Sequence, residues 1–221
     1  MKKDMTKLGI TLMLYASLAC ASLAVVYAFT KESIDKQSEL QLQTSLKELF
    51  PEATVFDPIQ DLSSPNPNIK FESAYEVKSD KAALGLAVKA TGPSYGGNAT
   101  LLVGIGLNRS VAGVRVMALN DTPGLGMNAS NPTYYVDKTK KVTFLGQFAG
   151  KFVTDPFEVK KDVVAITAAT ISSRSLTTII KAVGDAAVAY MDQKAVAAPA
   201  ESGPSAEAGA NTGAQPQAGG K

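Results

Sequence analysis

The stretch that decides the fold runs Thr100-Leu101-Leu102-Val103-Gly104-Ile105-Gly106-Leu107, then Asn108-Arg109-Ser110, then Val111-Ala112-Gly113-Val114-Arg115-Val116-Met117-Ala118-Leu119. Leu101, Val103, Ile105 and Leu107 alternate onto one face, and Gly104 and Gly106 fall together on the other. Asn108-Arg109-Ser110 is a turn, and the β-branched run from Val111 returns beside the first. The pattern is a β-hairpin inside a twisted antiparallel sheet. The paired glycines mark either close approach of another body or a bulge. Gly104-Ile105-Gly106 is not a dinucleotide fingerprint, because the third glycine and the following helix are missing.

Outward from the hairpin, residues 70–77 and 84–90 read as two further strands, preceded by a loop of turn formers, DLSSPNPN, at 61–68. On the other side Leu176, Ile179, Ile180, Val183, Ala187, Tyr190 and Met191 recur at helical spacing. They predict an amphipathic helix over about 172–193 that packs on the sheet. Strands and helices mixed in this way define an α+β class. Residues 32–49 carry Leu40, Leu42, Leu46 and Leu49 near helical spacing, stopped by Pro51. Residues 30–69 therefore form a helical stalk and loop, and 70–193 form one folded domain. Residues 194–221, rich in Ala, Gly, Pro and Ser, lack the apolar content to fold and are expected to be a disordered tail.

The 221-residue chain contains no His and no Trp, its only cysteine is Cys20, and its formal net charge is +2. Without His or a second Cys it has no imidazole base, no CxxC redox pair and no Cys- or His-built metal site. No residue is expected to act as a catalytic acid or base, and redox chemistry would need a cofactor. A near-neutral charge without a basic stripe argues against nucleic acid as a partner. Asn98, Asn108, Asn120 and Asn128 head N-x-[ST] triplets. A cysteine-poor ectodomain is unusual for the secretory route that glycosylates such sites.

Residues 8–29, LGITLMLYASLACASLAVVYAF, carry no charge. As a helix they span roughly 30 Å, the thickness of bilayer hydrocarbon. Ala19-Cys20-Ala21 fits a signal-peptidase site, but the apolar run continues past it to Phe29, which favours a retained anchor. Lys2, Lys3 and Lys7 precede the span, and a mixed-sign segment from Lys31 to Lys36 follows it. The positive-inside bias leaves residues 1–7 in the cytoplasm and sends the rest across.

Two loops concentrate the chemistry. Asp121-Thr122-Pro123-Gly124-Leu125-Gly126-Met127-Asn128 leaves the hairpin, and its glycines keep backbone N–H groups free to face a flat or anionic ligand. An ordinary turn would read the same way. Ala165-Ile166-Thr167-Ala168-Ala169-Thr170-Ile171-Ser172-Ser173-Arg174 brings four hydroxyls to a helix N-terminus, where the dipole favours an anion. Arg174 is placed to add charge to a phosphate, although plain N-capping would need only one of these hydroxyls.

Together the loops resemble the FMN-binding domain of the G subunit of the Rnf electron-transport complex, and of the related C subunit of the sodium-translocating NADH:quinone reductase. The similar stretch covers about 95–189, with Tyr95-Gly96-Gly97, the hairpin, Thr122-Pro123-Gly124-Leu125-Gly126 and Gly146-Gln147-Phe148-Ala149-Gly150-Lys151 along it. The single N-terminal span matches too. In that family a flavin transferase esterifies the FMN phosphate to the last Thr of D-x-x-[ST]-G-A-T. The resemblance makes that residue Thr170, with Thr167 at the [ST] position. Ala168, Ala169, Ser172, Ser173, Thr122, Gly124, Leu125 and Gly126 would line the cofactor. Three positions depart from the family pattern: Val164 replaces the acidic residue, Ala168 replaces the glycine, and Asp121 stands where relatives often show Glu. The alanine matters only if its position needs a positive φ.

The resemblance implies a flavoprotein subunit of an inner-membrane, ion-translocating ferredoxin:NAD⁺ oxidoreductase, with the other Rnf subunits and the transferase as partners. The GLG loop and the ISSR stretch lie closer to Rnf than to the quinone reductase. The alternatives are that C subunit, or an anchored binding or assembly module without covalent flavin. The lysines ahead of the span carry a topological expectation. A C-terminal reporter that works only outside the cytoplasm will be active, and activity confined to the cytoplasm would contradict the orientation.

Overall fold

The computed structural model describes residues 2–80 and 82–197. Its first element, α1, is one helix from Lys2 to Leu49, so the apolar span and the stalk are continuous. No glycine or proline falls between Gly9 and Pro51 to break it. The apolar side chains of the span are exposed on every side, as lipid-facing residues would be, and the helix is long and apolar enough to cross a membrane. Its last turn is different. Leu46, Leu49 and Phe50 are buried against the sheet.

Five strands follow as an antiparallel meander in the order β1 (Val55–Ile59), β2 (Lys70–Lys78), β3 (Ala83–Ser94), β4 (Gly97–Gly106) and β5 (Val111–Ala118). β1 falls inside the segment read from sequence as stalk and loop, so the sheet begins earlier than expected. Pro58 concealed it. Proline is excluded from central strands, but β1 is an edge strand that pairs only with β2, where a missing N–H costs no ladder bond. The predicted hairpin is β4–β5. Its turn is held by Asn108 Oδ1, which accepts from the Ser110 N–H and hydroxyl, and Arg109 sits in the left-handed region at φ 61°. Leu107, expected on the core face, lies in this turn and is exposed, because the strand stops at Gly106.

The sheet is buried on both faces. One face carries Leu101, Val103 and Ile105 against Leu176, Ile179, Ile180 and Val183 of α2 (Thr170–Ala197). The other carries Val77, Ala87 and Leu102 against the end of the stalk. The paired glycines have separate causes. A Cβ on Gly104 would lie 2.9 Å from Phe50 Cε2, so this glycine admits the stalk, whereas Gly106 faces Asn108 and the Ser110 carbonyl of its own turn. Glu48 and Arg115 add a 2.8 Å ion pair at the same seam, half-exposed and so a minor contribution. The sheet is thereby fixed to the end of the membrane helix.

Between β5 and α2 the chain is mostly irregular, with two 3₁₀ turns (Gly126–Ser130 and Gly146–Phe148) and a small hairpin of β6 (Tyr135–Asp137) and β7 (Val142–Thr143). It has anchors of its own. Phe144 and Phe148 are fully buried edge to face at 5.6 Å, and Phe148 stacks on Phe157. Asp162 accepts from the Phe157 and Glu158 N–H groups and from Lys151. α2 begins at Thr170 and runs to Ala197, past the predicted end, with Lys194 paired to Glu76. The remainder of the proposed tail, 198–221, lies outside the described residues.

Candidate functional site

The two loops singled out from sequence meet over the N-terminus of α2. The first is organised by Asp121, whose carboxylate is almost fully buried. Its Oδ2 accepts from the Ser94 hydroxyl and its Oδ1 from the Gly96 N–H, each at 2.8 Å, and the Ser172 hydroxyl also donates to it. Burial alone would raise this carboxyl, but the donors from Ser172, Gly96 and Ser94 more than offset it and hold it below the usual carboxylate range. One side chain thus ties the β3–β4 turn, the TPGLG loop and the first turn of α2 together. Gly126 has to be glycine at this junction, since a Cβ there would lie 2.5 Å from Asp121 Oδ2 and collide with Ser172 Oγ. Within the loop, Gly124 takes φ 77° and its carbonyl accepts from Asn128 Nδ2.

The second loop is clamped by three side chains. Gln147 pairs with the Val164 backbone, donating to its carbonyl and accepting its N–H at 2.8 Å. The Tyr134 hydroxyl accepts from the Thr167 N–H at 3.3 Å. Ser173 is fully buried, with its hydroxyl accepting from the Ile166 N–H and donating to the Ala169 carbonyl. This hydroxyl, expected to meet the cofactor, is committed to the loop's own backbone. Ala168 stands at φ 58°, so the position does require the left-handed backbone that favours glycine. For alanine that conformation costs about 1–2 kcal/mol. Val164, at the family's acidic position, is held through its backbone while its side chain is half-exposed.

Between the loops lies a cavity of about 440 Å³ lined by Tyr95, Thr122, Leu125, Gly126, Ala168, Ala169, Thr170, Ile171 and Ser172. Most of the predicted residues are here. Thr167 and Gly124 are in the loops but not in the wall. Arg174 lines a different cavity with Phe157, Glu158 and Thr177, so it brings no charge to this one. Tyr95 and Ile171 are walls that were not among the predicted site residues. Tyr95 could have been flagged by its place in the Tyr95-Gly96-Gly97 turn, but an exposed helical isoleucine has no sequence signal.

The chemistry of the wall is specific. No ionisable acid or base other than Tyr95 lines it. Among the described residues the N–H groups of Thr170, Ile171 and Ser172 have no acceptor, as expected for the first turn of a helix. The Thr170 hydroxyl is half-buried and makes no hydrogen bond, unlike Thr177 and Thr178, which bond back to the carbonyls of Ser173 and Arg174. The site combines free helix N–H groups, an uncommitted hydroxyl and apolar walls, which suits a phosphate ester with a flat ring system.

These features suit an anchored domain that holds a flat, phosphate-bearing ligand. Residues 94–185 match the FMN-binding domain family, and residues 1–49 match the RnfG N-terminal region. The chain is 32% identical over 200 residues to the G subunit of the ion-translocating oxidoreductase complex of Vibrio cholerae, covering 85% of this chain and 90% of the relative. It is 31% identical to the protein of the same name from Photorhabdus laumondii, covering 82% and 89%. It is 28% identical to the G subunit of the Na(+)-translocating ferredoxin:NAD(+) oxidoreductase complex of Acetobacterium woodii, covering 79% and 87%. The chain belongs to the family of G subunits of ion-translocating oxidoreductase complexes, the Rnf complexes.

Two outcomes follow for the site. The folded carboxyl of Asp121 lies below its unfolded value, so its contribution is full above the ordinary Asp range and is lost as pH falls through the folded value. Asp121→Asn will lower stability at pH 7 by about 2 kcal/mol. The gap to wild type will narrow as pH drops below about 3.9, measured as thermal midpoints across pH. Ala168→Gly removes the left-handed strain but adds freedom to the unfolded chain. It will raise the midpoint by about 2 °C, corresponding to a net gain of roughly 0.5–1 kcal/mol.

Proposed function

We propose that this chain is the electron-transfer subunit of a membrane-bound ferredoxin:NAD⁺ oxidoreductase complex of the Rnf kind, and that it carries FMN as a phosphoester on Thr170. The observation that carries the attachment is the uncommitted Thr170 hydroxyl, at a helix N-terminus whose first N–H groups are also free. Esterification joins Thr170 Oγ1 to the FMN phosphorus. The phosphoanhydride bond of a dinucleotide flavin donor supplied on the transferase breaks, the nucleoside monophosphate leaves, and the hydroxyl proton passes to solvent.

The N–H groups of Thr170, Ile171 and Ser172 then face the phosphate, with the positive end of the α2 dipole behind them. No Lys or Arg lines the cavity, which fits a diester bearing one negative charge better than a free monoester bearing nearly two. Leu125, Gly126, Ile171 and Tyr95 supply the walls for the ring. Bound FMN supplies one- and two-electron redox chemistry that no side chain here can perform. The chain orients it, and the substrates belong to the complex. The lysines before residue 8 favour an outer-side location for the domain. A transferase acting on that side meets the exposed Val164 and the loop that follows it.

Thr170→Val keeps the β-branched shape and removes only the hydroxyl, so its cost in packing is small. Made alongside its transferase, wild-type protein will give a flavin-fluorescent band on a denaturing gel, and Thr170→Val will be folded, membrane-inserted and dark. Thr167→Val will stay fluorescent. A wild-type band that loses its fluorescence on denaturation would mean a dissociable ligand, the binding-module alternative.

A further inference from the structure

Tyr95 has no evident role in the fold. It is 64% exposed, its hydroxyl has no hydrogen-bond partner among the described residues, and it packs in neither hydrophobic cluster. A tight β3–β4 turn does not need an aromatic at this position. Yet the turn is held with unusual firmness on both sides of it. The Ser94 hydroxyl and the Gly96 N–H both donate to the buried Asp121 carboxylate, so the residues flanking Tyr95 are fixed to the floor of the site. The ring forms one wall of the cavity that Thr170 and Ile171 bound from the helix and Thr122, Leu125 and Gly126 from the other loop. It is the only aromatic in that wall.

We infer that Tyr95 is the ring-contacting residue of the site, an aromatic plate on which the isoalloxazine of a Thr170-linked flavin packs, with Asp121 as the positioning residue that holds the plate in place. The inference rests on the reading of the cavity as a flavin site and deepens it. A planar, electron-poor heteroaromatic gains most from an offset-stacked, electron-rich ring, and phenol is such a ring. The contact also sets a property of the cofactor. An adjacent donor ring favours the oxidised flavin over its reduced anion, so this turn helps fix the potential at which the protein exchanges electrons.

The test uses the full chain made with its transferase, and loading is first measured by intact mass. A phenol in contact with an excited flavin quenches it by electron transfer, whereas a phenyl ring, much harder to oxidise, does not. Tyr95→Phe keeps the plate and removes a hydroxyl that the fold does not use. Its flavin fluorescence lifetime will lengthen several-fold relative to wild type. Tyr95→Leu removes the plate, and will lengthen the lifetime equally while raising the flavin's midpoint potential and shifting its visible absorbance bands. Asp121→Asn, which frees the turn, will give a mixture of short and long lifetimes. Lifetimes and spectra unchanged in both Tyr95 variants would overturn the inference while leaving the flavin assignment intact. Absence of flavin mass from the wild type would instead defeat the site reading beneath it.

Discussion

A carboxylate can be buried only if donors replace the water it loses, and Asp121 recruits those donors from two segments distant in sequence. Ser94 and Gly96 come from the turn between β3 and β4, and Ser172 comes from the first turn of α2. The cavity exists because this junction closes. Without it the TPGLG loop would have no fixed relation to the helix end that carries Thr170. The rule at Gly126 follows from the same crowding, since the carboxylate and the Ser172 hydroxyl occupy the space a side chain would need.

Around that junction the chain divides its hydroxyls between structure and chemistry. Ser173, Ser172 and Ser94 are committed to the loop, to Asp121, or to the β3–β4 turn. Thr170 alone among the hydroxyls in the cavity's helical wall is left uncommitted. The left-handed backbone at Ala168 belongs to the same design, because it turns the chain sharply between the buried Ile166 and the helix start. Alanine holds the conformation that a glycine would hold without strain. At the far side of the sheet, Phe50 against Gly104 and Leu49 against Gly113 fix the domain to a continuous membrane helix. The sheet that carries the site is therefore packed directly on the end of the apolar helix.

Much of this was legible in the residues. The alternation from Leu101 to Ile105 located the central strands, the spacing from Leu176 to Met191 located the packing helix, and the uncharged run at 8–29 located the anchor. The two loops were legible through glycine and hydroxyl content, sharpened by resemblance. What escaped has physical causes. Val55–Ile59 hides a strand because only its edge position tolerates Pro58. Leu107 reads as core but falls one residue beyond the last ladder position. Arg174 shares a helix face with Thr170 but stands one turn further along the axis and lines another cavity, an axial offset that the hydroxyl count could not reveal. The Ser173 hydroxyl is spent on backbone because the carbonyl of Ala169 and the N–H of Ile166 are within reach. The partners Gln147 and Tyr134 could not be assigned from sequence, because the contacts they make are with backbone far away in the chain.

The central claim is that the Thr170 hydroxyl, uncommitted among the described residues, bears the flavin. Trypsin cutting after Lys161 and Arg174 isolates a peptide of residues 162–174 that contains Thr167, Thr170, Ser172 and Ser173 together. Fragmentation of that peptide, from chain made alongside its transferase, distinguishes all four. The account predicts a single FMN-sized addition located on Thr170. The same addition on Thr167, Ser172 or Ser173, or an unmodified peptide, would contradict it.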